Sequence, residues 1–199
     1  CILVMTGVAL AAPPQSLSSI SRMTSLTENN EKRIADYSKY WLARLETGTP
    51  EDVARARNKL IEPLNNMLGK TSAIFRSTYS DDLLPTLEKV IEGDDAFRAV
   101  NALQVTGFVG TDPSTRLLTK AMDPESQEMV EKRLWATIAI RESLGNGDLS
   151  PRRSTAVIRE IGRSASTEPN WQVLMRQLET LAEVTRSKVP REQGGDEIR

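Results

Sequence analysis

The sequence predicts an all-α protein, a short α-solenoid of about eight helices stacked as antiparallel hairpins, and three observations carry that prediction. From Thr27 onward apolar residues recur with a period near 3.6, the spacing of helices that bury one stripe. Proline stands at the first turn of one predicted helix after another, at Pro50, Pro113, Pro124, Pro151 and Pro169, where its missing N–H costs no hydrogen bond. Aromatic residues make up 5% of the 199 residues against 39% apolar and 27% charged, too few rings for sandwiches or barrels packed around them.

The elements follow in order. Residues 1–11 are expected to be a signal peptide: Ile2 to Ala12 is an uncharged apolar run too short to span a bilayer, and Ala9-Leu10-Ala11 supplies a small-x-small cleavage pattern. Residues 12–26, rich in Ser, read as a flexible leader, 27–186 as the helical repeat domain, and 187–199 as a disordered tail without period or apolar content. The expected location is the periplasm or the secreted space, with no membrane insertion of the mature chain. Export would leave the mature chain without cysteine, because the only one is Cys1.

Within the repeat domain, Ile34, Tyr37, Trp41 and Leu45 share one stripe of a helix that ends at Thr47-Gly48. Thr49 then caps a second helix with Val53, Leu60, Leu64 and Met67 inward, bent or ended early by Pro63 and closed by Gly69. Ser72 to Glu92 reads as one kinked helix or two abutting ones, with Pro85 as the interruption. The stretch from Asp95 to Val109 is apolar almost all the way round and is expected at the centre of the array. Asp112-Pro113 opens a short helix, Asp123-Pro124 a longer one through Leu144, Ser150-Pro151 the next, and Pro169 the last, with Trp171, Leu174, Leu178 and Leu181 as its inward stripe.

Asn101-Ala102-Leu103 through Gly110 and Trp135-Ala136-Thr137 through Gly145 match at an offset of 34 to 35 residues, each ending in an aliphatic residue followed by Gly. In order, Asp94-Asp95, Asn101-Ala102-Leu103, Gly110-Thr111-Asp112, Leu117-Leu118 and Asp123-Pro124 resemble HEAT repeats of the bacterial kind. The outer helix pairs share only the rhythm, which leaves armadillo and tetratricopeptide repeats as alternatives, although the Trp-x-x-Leu-Gly signature of the latter is missing. The resemblance implies a non-enzymatic scaffold or adaptor whose concave surface, lined by the second helix of each hairpin, grips another protein.

Composition narrows the chemistry. With no histidine and Cys1 as the only cysteine, Ser-His-Asp and Cys-His nucleophile systems, zinc sites of His and Cys, and internal disulfides are excluded, and no cofactor is expected. The 26 Lys plus Arg against 27 Asp plus Glu give a net charge of −1, so no global field favours nucleic acid as a partner. The alternative reading is a carboxylate-based enzyme or binding protein acting on envelope glycans, for which Asp81-Asp82, Asp94-Asp95 and the series Glu125, Glu128 and Glu131 are the candidate acids. Helix capping accounts for such residues more simply. The candidate interaction surface is Trp135, placed about 100° from the face of Leu134 and Ile138, together with Arg152, Arg159 and Arg163, three cations on one helix face.

Overall fold

The computed structural model describes residues 12–65 and 71–188, with side chains to Val184. Eight α-helices occupy these residues: α1 (Glu28–Thr47), α2 (Pro50–Ile61), α3 (Ala73–Glu92), α4 (Ala96–Val109), α5 (Asp112–Met122), α6 (Val130–Asn146), α7 (Pro151–Thr167) and α8 (Trp171–Lys188). A single 3-10 turn, Glu62–Leu64, follows α2, and no strand occurs among the described residues.

Short polar caps set most of the helix starts. Thr27, Thr49, Ser72, Asp95, Thr111 and Ser150 each accept a hydrogen bond from the backbone N–H three residues on, satisfying a donor that the helix leaves open. Pro63 ends α2 in the 3-10 turn, as its geometry requires. Pro85 does not divide α3, which runs unbroken for 20 residues. Gly110, in the left-handed conformation at φ 55°, closes α4.

The eight helices pair as four antiparallel hairpins in two layers. The odd-numbered helices form the first layer and the even-numbered ones the second, and each helix packs chiefly on its hairpin partner and its neighbour in the same layer. Side-chain ties between successive hairpins repeat at a narrow range of sequence separations. Ser80 meets Thr111 31 residues on, Arg133 meets Glu168 35 on, Ser150 meets Asp112 38 back, and Arg57 meets Asn101 44 on. Contacts concentrated between adjacent hairpins are compatible with a helical solenoid, and the all-α, hairpin-stacked architecture is as expected.

The core follows the period-3.6 stripes. Ile34, Tyr37, Trp41 and Leu45 are buried on α1, and Phe75, Tyr79, Leu83 and Leu87 on α3. Central α4 contacts α1, α2, α3, α5 and α6. Two buried tyrosines send their hydroxyls to carbonyls where α2 ends, Tyr37 to Lys59 at 2.6 Å and Tyr79 to Leu60 at 3.0 Å. Burial holds both phenols well above the usual tyrosine range, so they remain donors.

Several expectations are corrected. The stretch 12–26, expected to be a loose leader, packs on the array: Leu17 and Ile20 are buried and the Ser72 N–H donates to the Ser21 carbonyl at 2.9 Å. Asp123-Pro124 opens a turn rather than a helix, because Asp123 accepts from the N–H groups of Ser126 and Gln127 and the helix begins only at Val130. Gly145 lies inside α6, and Gly147 closes it. Helix α8 starts after Pro169, not with it, and extends through Lys188 into the stretch read as tail. The expected signal peptide, Met67 and Gly69, and the tail from Val189 onward lie outside the described residues. Among the described residues no helix is long and apolar enough to cross a membrane.

Candidate interaction surface

The closest joint in the array lies between α4 and α6, and small residues make it possible. A Cβ on Gly107 would stand 2.9 Å from the Cα, Cβ and O atoms of Ala139, so only glycine lets the two backbones meet there. The Ser143 hydroxyl donates to the Gly107 carbonyl at 2.8 Å across the same joint. At the helix ends, the Asp148 N–H donates to the Gly110 carbonyl at 2.8 Å, and Gly110 and Gly147 touch backbone to backbone.

Arg76 of α3 fastens this joint from behind. It is buried, and its guanidinium donates to the carbonyls of Phe108 at 2.8 Å and Val109 at 2.7 Å, with Asn146 at 3.5 Å. Those oxygens belong to the C-terminal ends of α4 and α6, where carbonyls lack helical partners and the dipole is negative. Loss of solvent pulls the Arg76 pKa down and nearby Asp148 pulls it up, yet a guanidinium stays charged in any case. One cation thus ties two second-layer helices to the first layer.

What α4 and α6 turn outward is half-apolar. On α4 the buried residues run from Ala99 to Val109 around most of the helix, leaving Phe97, Val100, Gln104 and Phe108 at i, i+3, i+7 and i+11. Phe97 is 49% exposed, and the other three are half-buried. On α6 the buried side is Arg133, Ala136, Thr137 and Ile140 with Lys132, Ala139 and Ser143, so Leu134, Trp135 and Ile138 fall together on the opposite, half-buried side. This corrects the expected orientation: Leu134 and Ile138 are not the buried face of α6 but share the outer side with Trp135, part of whose side chain, like that of Phe108, packs against the core. Small residues, Ala139 and Ser143, stand where α6 meets Gly107 of α4, and the larger Lys132, Arg133 and Ile140 fill the rest of the buried face.

The expected cations are elsewhere. Arg152, Arg159 and Arg163 are exposed on α7, a first-layer helix, and Arg163 pairs with Asp123 at 3.3 Å. Trp135 is on the second layer, so the four candidate residues do not form one surface. Arg153, the one cation of that run not singled out, is buried, donating from Nε to Thr115 at 2.9 Å, from Nη2 to Thr119 at 3.1 Å and from Nη1 to Glu160 at 3.0 Å. Its place on the stripe of Val157, Ile161 and Ser164 marks it in the sequence. Arg133 is likewise buried, forked onto Glu168 with its Nη1 on the Gln127 and Glu128 carbonyls. Trp171, expected in the core, is 70% exposed.

The acids divide by position. Asp95 caps α4, pairing with Arg98, and those bonds lower its pKa. Asp81 and Asp82 stand in the middle of α3 and not at a helix start. Asp82 faces a groove of about 390 Å³ between α1 and α3, which Ser38 and Glu46 also line, and Glu46 pairs with Lys89 at 2.5 Å. Burial first, and neighbouring Asp81 second, push the Asp82 carboxyl up. A carboxyl raised in the folded state charges at a cost above its folded pKa, and the cost vanishes below the unfolded value. Asp82→Asn is therefore expected to raise the melting temperature at pH 7, with the gain shrinking to nothing below about pH 4. Melting curves of both proteins across that range check the sign.

The chain was compared with family models, curated proteins and solved structures. None of them matches it. The outer face is a two-helix platform, joined through glycines and a buried arginine, that presents aromatic and aliphatic side chains with Gln104, Arg141 and Glu142 around them.

Proposed function

We propose that the protein is a non-catalytic protein-binding module of the HEAT-like kind, exported to the periplasm or the secreted space, that holds another protein against the outer face of α4 and α6. The observation that carries this reading is the half-buried apolar stripe of Phe97, Val100 and Phe108 beside Leu134, Trp135 and Ile138. Aromatic anchors in a patch rimmed by polar groups are what protein interfaces use. Solenoids present such extended surfaces along one layer, which supports the assignment to the second-helix side. Export rests on the apolar run Ile2 to Ala12, and the HEAT-like assignment on the motifs from Asp94 to Gly145.

Affinity capture from the envelope and secreted fractions tests the proposal. The wild-type protein is expected to retain a defined protein that Phe97→Asp and Trp135→Asp each release, with an affinity loss of at least about tenfold, as for anchor residues costing more than 1 kcal/mol. Arg152→Ala and Arg159→Ala, on the other layer, are expected to retain it. Retention by both aspartate variants, with circular dichroism unchanged, would place the binding surface elsewhere.

A further inference from the structure

The two ends of the array are unlike. At the α1 end the surface is polar: Glu28, Asn29, Lys32, Asp36 and Lys39 are exposed on α1, Glu51, Arg55 and Asn58 on α2, and neither helix exposes a large apolar side chain. Solenoids need such a polar outer face on their terminal repeats to remain soluble. Helix α8, the last of the described helices, does the reverse. It buries Val173, Gln177, Thr180 and Val184 and exposes, on the opposite side, Trp171 at 70%, Met175 at 51% and Leu178 at 47%, with Ala182 completing the row at i, i+4, i+7 and i+11.

Contacts fix where this row points. The buried side of α8 meets α7 through Gln177, which donates to the Ser164 hydroxyl at 2.9 Å, and its flank meets α6 through Glu183, paired with Arg141 at 2.6 Å. The row of Trp171, Met175, Leu178 and Ala182 therefore faces away from α6 and α7, in the direction in which a further second-layer helix would stack. No charged residue interrupts it. Arg176 and Glu179 flank it and pair with each other at 2.7 Å.

We infer that this row is a self-association face, and that a second copy of the chain covers it by laying its own α8 antiparallel across the first. The row is complementary to itself under that two-fold. A midpoint between Arg176 and Gln177 sets Met175 opposite the other copy's Leu178 and, at the same register, sets bulky Trp171 opposite small Ala182. Large against small at both ends is the fit that packed helices require, and an uncharged row brings no like charges together when it meets its copy. Among the described residues α1 and α2 offer no matching apolar row, so copies pair through α8 and do not extend head to tail.

The area sets the strength. Taking large side chains at roughly 150–250 Å² each and weighting by exposure, the row offers on the order of 400 Å² per copy. Two copies bury on the order of 800 Å², below the standard interface size and in the range of reversible association. This face is separate from the outer face of α4 and α6, so the failure of either assignment leaves the other standing.

Sedimentation equilibrium from about 1 μM to about 500 μM, a span that brackets micromolar dissociation constants, tests the inference on the full chain. The mass is expected to rise reversibly from 22.1 kDa towards twice that value. Trp171→Glu and Leu178→Glu are each expected to remain monomeric throughout with unchanged helical circular dichroism, since Trp171 is largely outside the core and Leu178 about half outside it. The register has its own test: Trp171→Ala and Ala182→Trp should each weaken the dimer at least about tenfold, and the double variant, which exchanges the large and small positions, should recover most of the loss. A single 22.1 kDa species at every concentration would overturn the proposal, as would a dimer indifferent to Trp171→Glu, growth beyond the dimer, or no recovery in the exchanged variant.

Discussion

Arg76→Met is expected to destabilise the protein by roughly 2–5 kcal/mol, because methionine fills the space of the arginine stem but donates to none of the carbonyls that the guanidinium now serves. The two short bonds, to Phe108 and Val109, satisfy oxygens at the end of α4 that have no helical partner, and each left bare and buried costs about 1–3 kcal/mol. The same change releases the Asn146 carbonyl at the end of α6, so the joint between the two helices loosens as a unit. Arg76→Lys, a point charge on a stem that reaches one carbonyl and not a fork of them, should fall between wild type and Met. Urea titration followed by circular dichroism reads both variants, and a loss below about 1 kcal/mol for Met would show that the cap contributes little.

Glu168→Ala is expected to cost about 3–5 kcal/mol, the range for removing one partner of a buried ion pair. Its carboxylate takes both the Nε and an Nη of Arg133, at 2.9 and 2.8 Å, and accepts as well from the Asn170 N–H at 2.9 Å, with neither charged side chain open to water. Without it the guanidinium is left with only the Gln127 and Glu128 carbonyls. Replacing both partners by Leu and Met should recover part of the loss, since an apolar pair brings no charge out of water, but not all of it, because those two loop carbonyls would then lose their donor. Thermal melts of the single and double variants measure the difference.

The two arginines also mark where the sequence stops being legible. Stripe, cap and turn are local, and reading them gives the eight helices, their hairpin order and most of their starts: Thr49, Ser72, Asp95 and Ser150 stand where free N–H groups need an oxygen. What is not local is which polar residue on a stripe goes inward. Arg76, Arg133 and Arg153 sit at core spacing, and their partners are carbonyls, a carboxylate and hydroxyls some 32 to 38 residues away. Only stacking brings those acceptors to them. A side chain that would be excluded from a core on hydropathy alone is therefore buried, and Trp171, which hydropathy would bury, is left outside.

The candidate surface was half-legible for the same reason. Trp135 could be singled out because it departs from its helix's apolar stripe, but which stripe is buried depends on α4 lying against Ala139, and that depends on the absence of a side chain at Gly107. Once the α4 joint claims the alanine face of α6, Leu134 and Ile138 turn outward with Trp135. The α7 arginines share a face with one another, as their spacing requires, but a solenoid puts odd and even helices on opposite sides, and a surface drawn from both layers cannot form.

The most direct measurement of the central claim, that the outer face of α4 and α6 holds a protein partner, is hydroxyl-radical footprinting of the captured complex against the free chain. Phe97 and Trp135 should lose reactivity in the complex, while Ile74, exposed on α3 in the other layer, keeps its own. Undiminished oxidation of Phe97 and Trp135 in a complex that protects any other face would contradict the account.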